Sequence, residues 1–396
     1  MLTISKQPQG RFALFRLGFR PFFLGAAIFA AVSTLLWMLV LVFNQAIHIN
    51  LPGIAWHAHE MIFGYSMAII AGFLLTAVRN WTGMATASGV PLLGIFTLWL
   101  LARILPFWPG AYANIAMACC DIAFGVFLTI AVTIPIMRAK AWRQLAIVSK
   151  LALMILANLC FYAGLHGWLG NGMTIGIYTG FYLIIALILT MGRRVIPFFV
   201  ERGVGYEVKL DNRRWLDLSS MVLFLLFFIS DIFFAAKQLS AFIAIILFLL
   251  HGIRAYGWHT RGIWRKPLLW SLFIGYGFII LAFPLYSASV YFGLSPFLSV
   301  HAFAFGGIGV ISFSMAARVS LGHTGRNVHL APPALIYCLI MLVAGAILRV
   351  IVPIFAPGHY LLWLASSQIL WIMSFVGFVV VYTPMLVSPR IDGQAG

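Results

Sequence analysis

Long uncharged apolar runs constrain this chain more than any other feature. Only 8% of its 396 residues are charged and 63% are hydrophobic, whereas a soluble domain carries roughly 25% charged residues. A helix crosses the hydrocarbon of a bilayer in about 20 residues. The runs are continuous rather than alternating, which selects helices over a barrel. The pattern predicts twelve spans, at 21–43, 57–78, 88–107, 112–136, 145–165, 173–191, 215–235, 239–256, 268–288, 297–319, 331–353 and 361–385. The expected fold is an all-α, polytopic integral membrane helical bundle. One transmembrane domain over 21–385 lies between an N-terminal segment, 1–20, and a tail, 386–396. The first run begins about twenty residues in and is itself long enough to span, so no cleavable signal peptide is expected.

The net charge of +17 would suggest nucleic acid for a soluble protein. Here its distribution gives another reason. The N-terminal segment, the tail and the connections after the even-numbered spans hold the basic residues; of 25, only Arg103, Lys237 and Arg349 fall on the opposite side. By the positive-inside rule both termini are cytoplasmic and the second span starts outside. No nucleic-acid partner is expected, and the bilayer is the environment. The four cysteines, Cys119, Cys120, Cys160 and Cys338, lie in apolar runs without CxxC pairing. Neither a disulfide framework nor a zinc site is indicated. No GxxxxGK[ST], HExxH or CxxCH occurs, which excludes the corresponding ATPase, zinc-protease and covalent c-haem chemistries.

The most polar stretch at the start of a span is Trp56-His57-Ala58-His59-Glu60-Met61-Ile62-Phe63-Gly64-Tyr65. Ionisable groups beside a span are costly and usually have a task or a partner. Imidazole is the commonest metal ligand and the usual axial ligand of haem iron. His57 and His59 point about 200° apart on a helix, so they can serve two sites, or one can ligate while the other orients it. His57 and Met61 share a face, and a thioether suits copper. The competing reading is a set of interfacial histidines with ordinary hydrogen bonds. An internal echo weakens it: His59 precedes Thr82-Gly83 by the same spacing that separates His301 from Thr324-Gly325, and Phe63-Gly64 matches Phe305-Gly306. Two helices would then present imidazole at similar depth. Gly64, Gly72, Gly306, Gly307 and Gly309 leave room for a flat macrocycle or, equally, allow close helix packing. Arg103 and Arg349 can hold an anionic substrate or haem propionates, or pair with Glu60, Asp121 or Asp231. No duplicated half and no pair of broken helices is evident.

The chain resembles the NnrS family. The resemblance is carried by Arg16–Phe23, Trp56–Tyr65, Gly72–Gly83, Gly192–Phe199, His301-Ala302-Phe303 and Arg318–Arg326. It implies a multi-pass protein of the bacterial inner membrane, containing haem and copper, linked to denitrification and to resistance against nitric oxide. Carried over, His57, His59 and His301 are the ligand candidates, with Met61 as a further metal donor. Glu60 would fix an imidazole tautomer from the second shell of ligands, and Arg103 and Arg349 would contact the cofactor. The outer-half histidines are also loosely similar to those of haem-copper oxidases, whose copper-site histidines lie on the sixth and seventh spans. Spans six and seven contain none here, which argues against such a binuclear centre and makes copper the weaker expectation. The leading reading is a haem protein that protects against nitric oxide. Two other readings stand beside it: a secondary transporter using the outer-half Arg, Asp and Glu, and a metal-handling or assembly factor for denitrification enzymes.

Overall fold

The computed structural model describes residues 12–394. Lys6 and Arg11, two of the expected inside charges, lie outside the described residues. Twelve helices are long and apolar enough to cross a membrane. They are α1 (Phe19–Leu41), α2 (Gly53–Thr82), α3 (Val90–Phe107), α4 (Ala113–Arg138), α5 (Trp142–Leu165) and α6 (Gly172–Gly203), followed by α7 (Arg214–Ile232), α8 (Lys237–Trp258), α9 (Pro267–Tyr291), α10 (Pro296–His323), α11 (Pro333–Phe355) and α12 (Pro357–Val387). Every expected span is present, and no strand occurs among the described residues. The main difference is α6, which runs on through Arg193-Arg194 and Pro197 to Gly203. Pro197 lies inside the helix, where it removes one backbone hydrogen bond without ending it, and the helix continues past the apolar run.

Neighbours in sequence are mostly neighbours in space, so the periphery is a ring of consecutive helices closed by α12 against α1. Three helices also make contacts out of sequence order. The central trio α2, α6 and α10 pack on one another inside the ring, and α2 and α10 are the two most buried spans. Apolar side chains on the ring, such as Ile28, Leu156, Phe242 and Val380, are exposed. That surface suits hydrocarbon and would be a liability in water.

The ends are tied by polar contacts. Arg20 is fully buried, and its Nη1 donates to the carbonyls of Leu386 and Ser388, each at 2.8 Å. It closes carbonyls that the end of α12 leaves without intrahelical partners. The Ala13 amide donates to Val387 O and the Gly89 amide to Phe15 O, both at 2.8 Å. The two chain ends and the α2–α3 connection therefore share one face. On the other face Asn50 donates to Trp108 O and Asn114 to Asn50 O, which joins the α1–α2 and α3–α4 connections.

α2 and α10 are not uniform. Each carries a π-helical segment, Glu60–Ser66 and Ala302–Gly309. Each segment begins immediately after a histidine, His59 or His301, so the sequence echo is also a structural one. Neither span is broken, but both are locally underwound by a π-turn. The Ser66 hydroxyl donates to Met61 O at 2.7 Å, supporting the widened turn. Such segments are rare and cluster at functional sites.

Candidate functional site

At the His57 end of the central trio lies a half-open cavity of about 460 Å³, within the range of small-molecule and cofactor sites. His57 and Met61 line it from α2, Tyr178 from α6 and His301 from α10. Arg349 reaches it from α11 and Gln368 from α12. The remaining wall is mostly apolar, with the hydroxyls of Thr34, Tyr65, Ser66, Thr174 and Ser367 among it.

His57 and His301 face each other's helices across this space, and both are poised differently from ordinary buried histidines. His57 stacks on Trp37, ring centroids 4.9 Å apart at 8°. Its Nδ1 is buried without a hydrogen-bond partner. A buried polar atom left so is costly. His301 is oriented: its Nδ1 lies 2.8 Å from Phe297 O, so that nitrogen carries the hydrogen and donates. Nε2 then holds the lone pair, and the Arg349 guanidinium donates to it at 3.2 Å. Arg349 also donates to the Tyr360 hydroxyl at 2.8 Å and has no carboxylate partner among the described residues. Gln368 Oε1 is a second buried acceptor at the cavity without a partner.

His59 is placed elsewhere. The half-turn offset from His57 sends it to the opposite side of α2, into a closed polar cluster with α3, α4 and α5. Its Nδ1 meets Glu60 Oε1 at 3.1 Å. Its Nε2 meets Asn158 Oδ1 at 3.0 Å and Asp121 Oδ2 at 3.4 Å. Arg103 bridges Glu60 and Asp121. Asn158 Nδ2 and the Tyr162 hydroxyl donate to Asp121 Oδ2 at 2.9 and 3.0 Å. The polar atoms at the two nitrogens of the His59 ring are acceptors, so the ring that satisfies them donates from both nitrogens and has no lone pair for a metal. Two cations, Arg103 and the doubly protonated ring, then balance two carboxylates inside the bundle.

The expected site residues therefore divide. His57, Met61, His301 and Arg349 share the cavity. His59, Glu60 and Arg103 form the cluster, where Glu60 orients His59 and Arg103 is held by carboxylates. Arg103 pairs, as one sequence reading had it, and Arg349 does not. Among the described residues no group of three or more His, Cys, Asp or Glu is arranged to hold a metal.

The glycines follow the packing alternative. A Cβ on Gly64, Gly72, Gly306, Gly307 or Gly309 would come within 3.0 Å of a side chain such as Phe29, Phe23, Phe278, Ile279 or Trp371. None of the five lines the cavity. Sequence reasoning missed Gln368 and Tyr178, whose residue types carry no pattern. It also missed Gly172, Gly176 and Gly180, a small-xxx-small series that the sequence does display. A Cβ on Gly172 or Gly176 would lie 2.5 Å from the Cys160 or Ala157 carbonyl of α5. These glycines bring α6, which forms one wall of the cavity, against α5.

A family model described as NnrS protein matches residues 13–390. No curated protein matches the chain.

Proposed function

The chain belongs to the NnrS family, and from that premise we propose that it is a haem-binding protein of the bacterial inner membrane acting in the nitric oxide response and denitrification. One observation carries the reading: two histidines from facing helices line one cavity, His301 with its Nε2 lone pair directed by the Phe297 hydrogen bond, and His57 with a buried, unpartnered Nδ1. His57 and His301 are the residues that would hold a haem iron through an imidazole nitrogen. The apolar wall suits a macrocycle, and Arg349, without a carboxylate of its own, is the residue to pair with a propionate. A haem held there by both imidazoles would pass an electron, and one held by a single imidazole would leave a position for a diatomic ligand.

The protein's own residues do the positioning. Phe297 O fixes the His301 tautomer. Trp37 holds the His57 ring by stacking. Arg349 donates to His301 Nε2 and Tyr360, and thereby keeps a cation at the cavity that a carboxylate-bearing ligand would draw off. Nitric oxide dissolves in hydrocarbon, so a site in the membrane meets it without a polar channel. Copper fits less well: it would rest on two imidazoles and the Met61 thioether. The transporter reading draws less support, because Glu60, Arg103 and Asp121 satisfy one another in a closed cluster, leaving Arg349 as the charged group on the cavity wall.

The visible spectrum of the purified protein tests the proposal. A Soret band is expected, lost in His57→Ala and His301→Ala and retained in the folded fraction of His59→Gln. Protein that folds and lacks haem under haem-replete expression would overturn it, and metal analysis of the same sample addresses copper.

A further inference from the structure

A second, half-open cavity of about 100 Å³ adjoins the first, again between α2, α6 and α10. Its wall is formed by side chains such as Ile70, Ile184, Leu187, Ile188, Ile311 and Met315. Two hydroxyls touch it, Ser66 and Ser312, and both are already engaged. Ser66 donates to Met61 O at 2.7 Å. Ser312 lies 2.5 Å from Ile308 O and 2.6 Å from the Tyr65 hydroxyl. A trapped water needs 2–4 polar partners, and an apolar cavity of roughly this size stays dry and takes up apolar guests. Water is therefore the wrong occupant, and a small uncharged apolar molecule is the right one.

The two cavities share wall residues. Ser66 and Ile308 line both. Tyr65 lines only the upper one and Ser312 only the lower one, and their hydrogen bond spans the partition. A rotamer change at Ile308 or a swing of Tyr65 would join the chambers without moving a helix. Side-chain motions of that kind take far less time than helix movements.

We propose that this lower chamber is a binding site for an apolar diatomic gas, a waiting position from which the gas passes Ile308 into the histidine-lined cavity. The role of the chamber as a supply to the upper cavity rests on the haem reading; its capacity to hold gas does not. The size argues for the occupant, since the space accepts a few heavy atoms, and its lack of free hydrogen-bonding groups favours a gas over any polar substrate.

Xenon is the probe. In crystals of the full-length protein pressurised with xenon, an anomalous peak is expected among Ile70, Leu187 and Ile311. It should vanish in Ile188→Phe, which fills the chamber, and also in Leu187→Phe, which fills it from another wall position, should the first fold poorly. No xenon peak in the native protein, or continuous density of a lipid chain in its place, would overturn the gas site whether or not haem is present. On haem-loaded protein, carbon monoxide rebinding after photolysis should slow several-fold in Ile188→Phe and quicken in Ile308→Ala. Unchanged rebinding in both variants would overturn the supply role. Protein without haem but with the xenon peak would sink the haem reading and leave the gas site standing.

Discussion

At the scale of single residues, the polar inventory at the His57 end of the bundle separates into one closed set and one open set. In the closed set Arg103, Glu60, Asp121 and His59 are each fully or nearly fully buried. Removing one member of such a set leaves an uncompensated charge and costs about 3–5 kcal/mol. Asp121→Leu is therefore expected to lower the thermal midpoint of the detergent-solubilised protein sharply. Arg103→Leu/Asp121→Leu should lose less, because Glu60 and His59 remain as a balanced pair; a double variant as unstable as the single one would contradict the charge-balance argument. In the open set Arg349 has a hydroxyl and an imidazole as partners but no carboxylate. Arg349→Gln should leave the Soret band in place and speed the transfer of haem to apomyoglobin, since a propionate would lose its cation. The two histidines of the opening motif show what sequence could and could not supply. Their two-residue spacing sets them on opposite helix faces, which is readable from helical geometry alone. Which face looks into the cavity is decided by Asp121 and Asn158, residues far along the chain whose approach to His59 is a tertiary event.

At the scale of elements, the twelve spans were legible because hydropathy over a bilayer thickness is a strong signal. The π-segments were not, because a π-turn depends on local hydrogen bonding and leaves no periodicity over so few residues. The short echo between His59 and His301 was their trace: the same Phe-Gly pair sits in both segments, Phe63-Gly64 and Phe305-Gly306. The α5–α6 contact is the element on which the cavity's α6 wall depends. Where Gly176 faces the Ala157 carbonyl, a methyl group meets backbone rather than a flexible side chain. Gly176→Ala should push the helices apart, with a cost of about 1–3 kcal/mol from overpacking. Met173, Thr174 and Ile177 would shift with α6, so haem content should fall alongside stability. Gly94→Ala is the control: nothing lies near its Cβ position, and both haem content and melting behaviour should be unchanged. Equal losses in the two variants would mean that the α5–α6 approach has no special part in shaping the site.

At the scale of the whole molecule, helices 2, 6 and 10 meet at the centre and carry both cavities along one seam, upper histidine chamber above lower apolar chamber. Chain ends and the α2–α3 connection lie together on the face remote from His57. The basic residues concentrate on that face, and the positive-inside rule assigns it to the cytoplasm. Labelling of single cysteines tests the assignment, in a background with Cys119, Cys120, Cys160 and Cys338 replaced by alanine. Trp168 is 81% exposed between α5 and α6, and Leu330 is 76% exposed between α10 and α11. Trp168→Cys should react with an impermeant maleimide in intact spheroplasts. Leu330→Cys should react only after lysis. The opposite pattern would turn the histidine cavity toward the cytoplasm and change its chemistry: haem would then be loaded, and electrons delivered, from the reducing side. The expected pattern puts His57 and His301 near the outer surface, where a reductant would have to approach from outside or from within the bilayer, while an apolar gas dissolved in hydrocarbon reaches the seam from either leaflet.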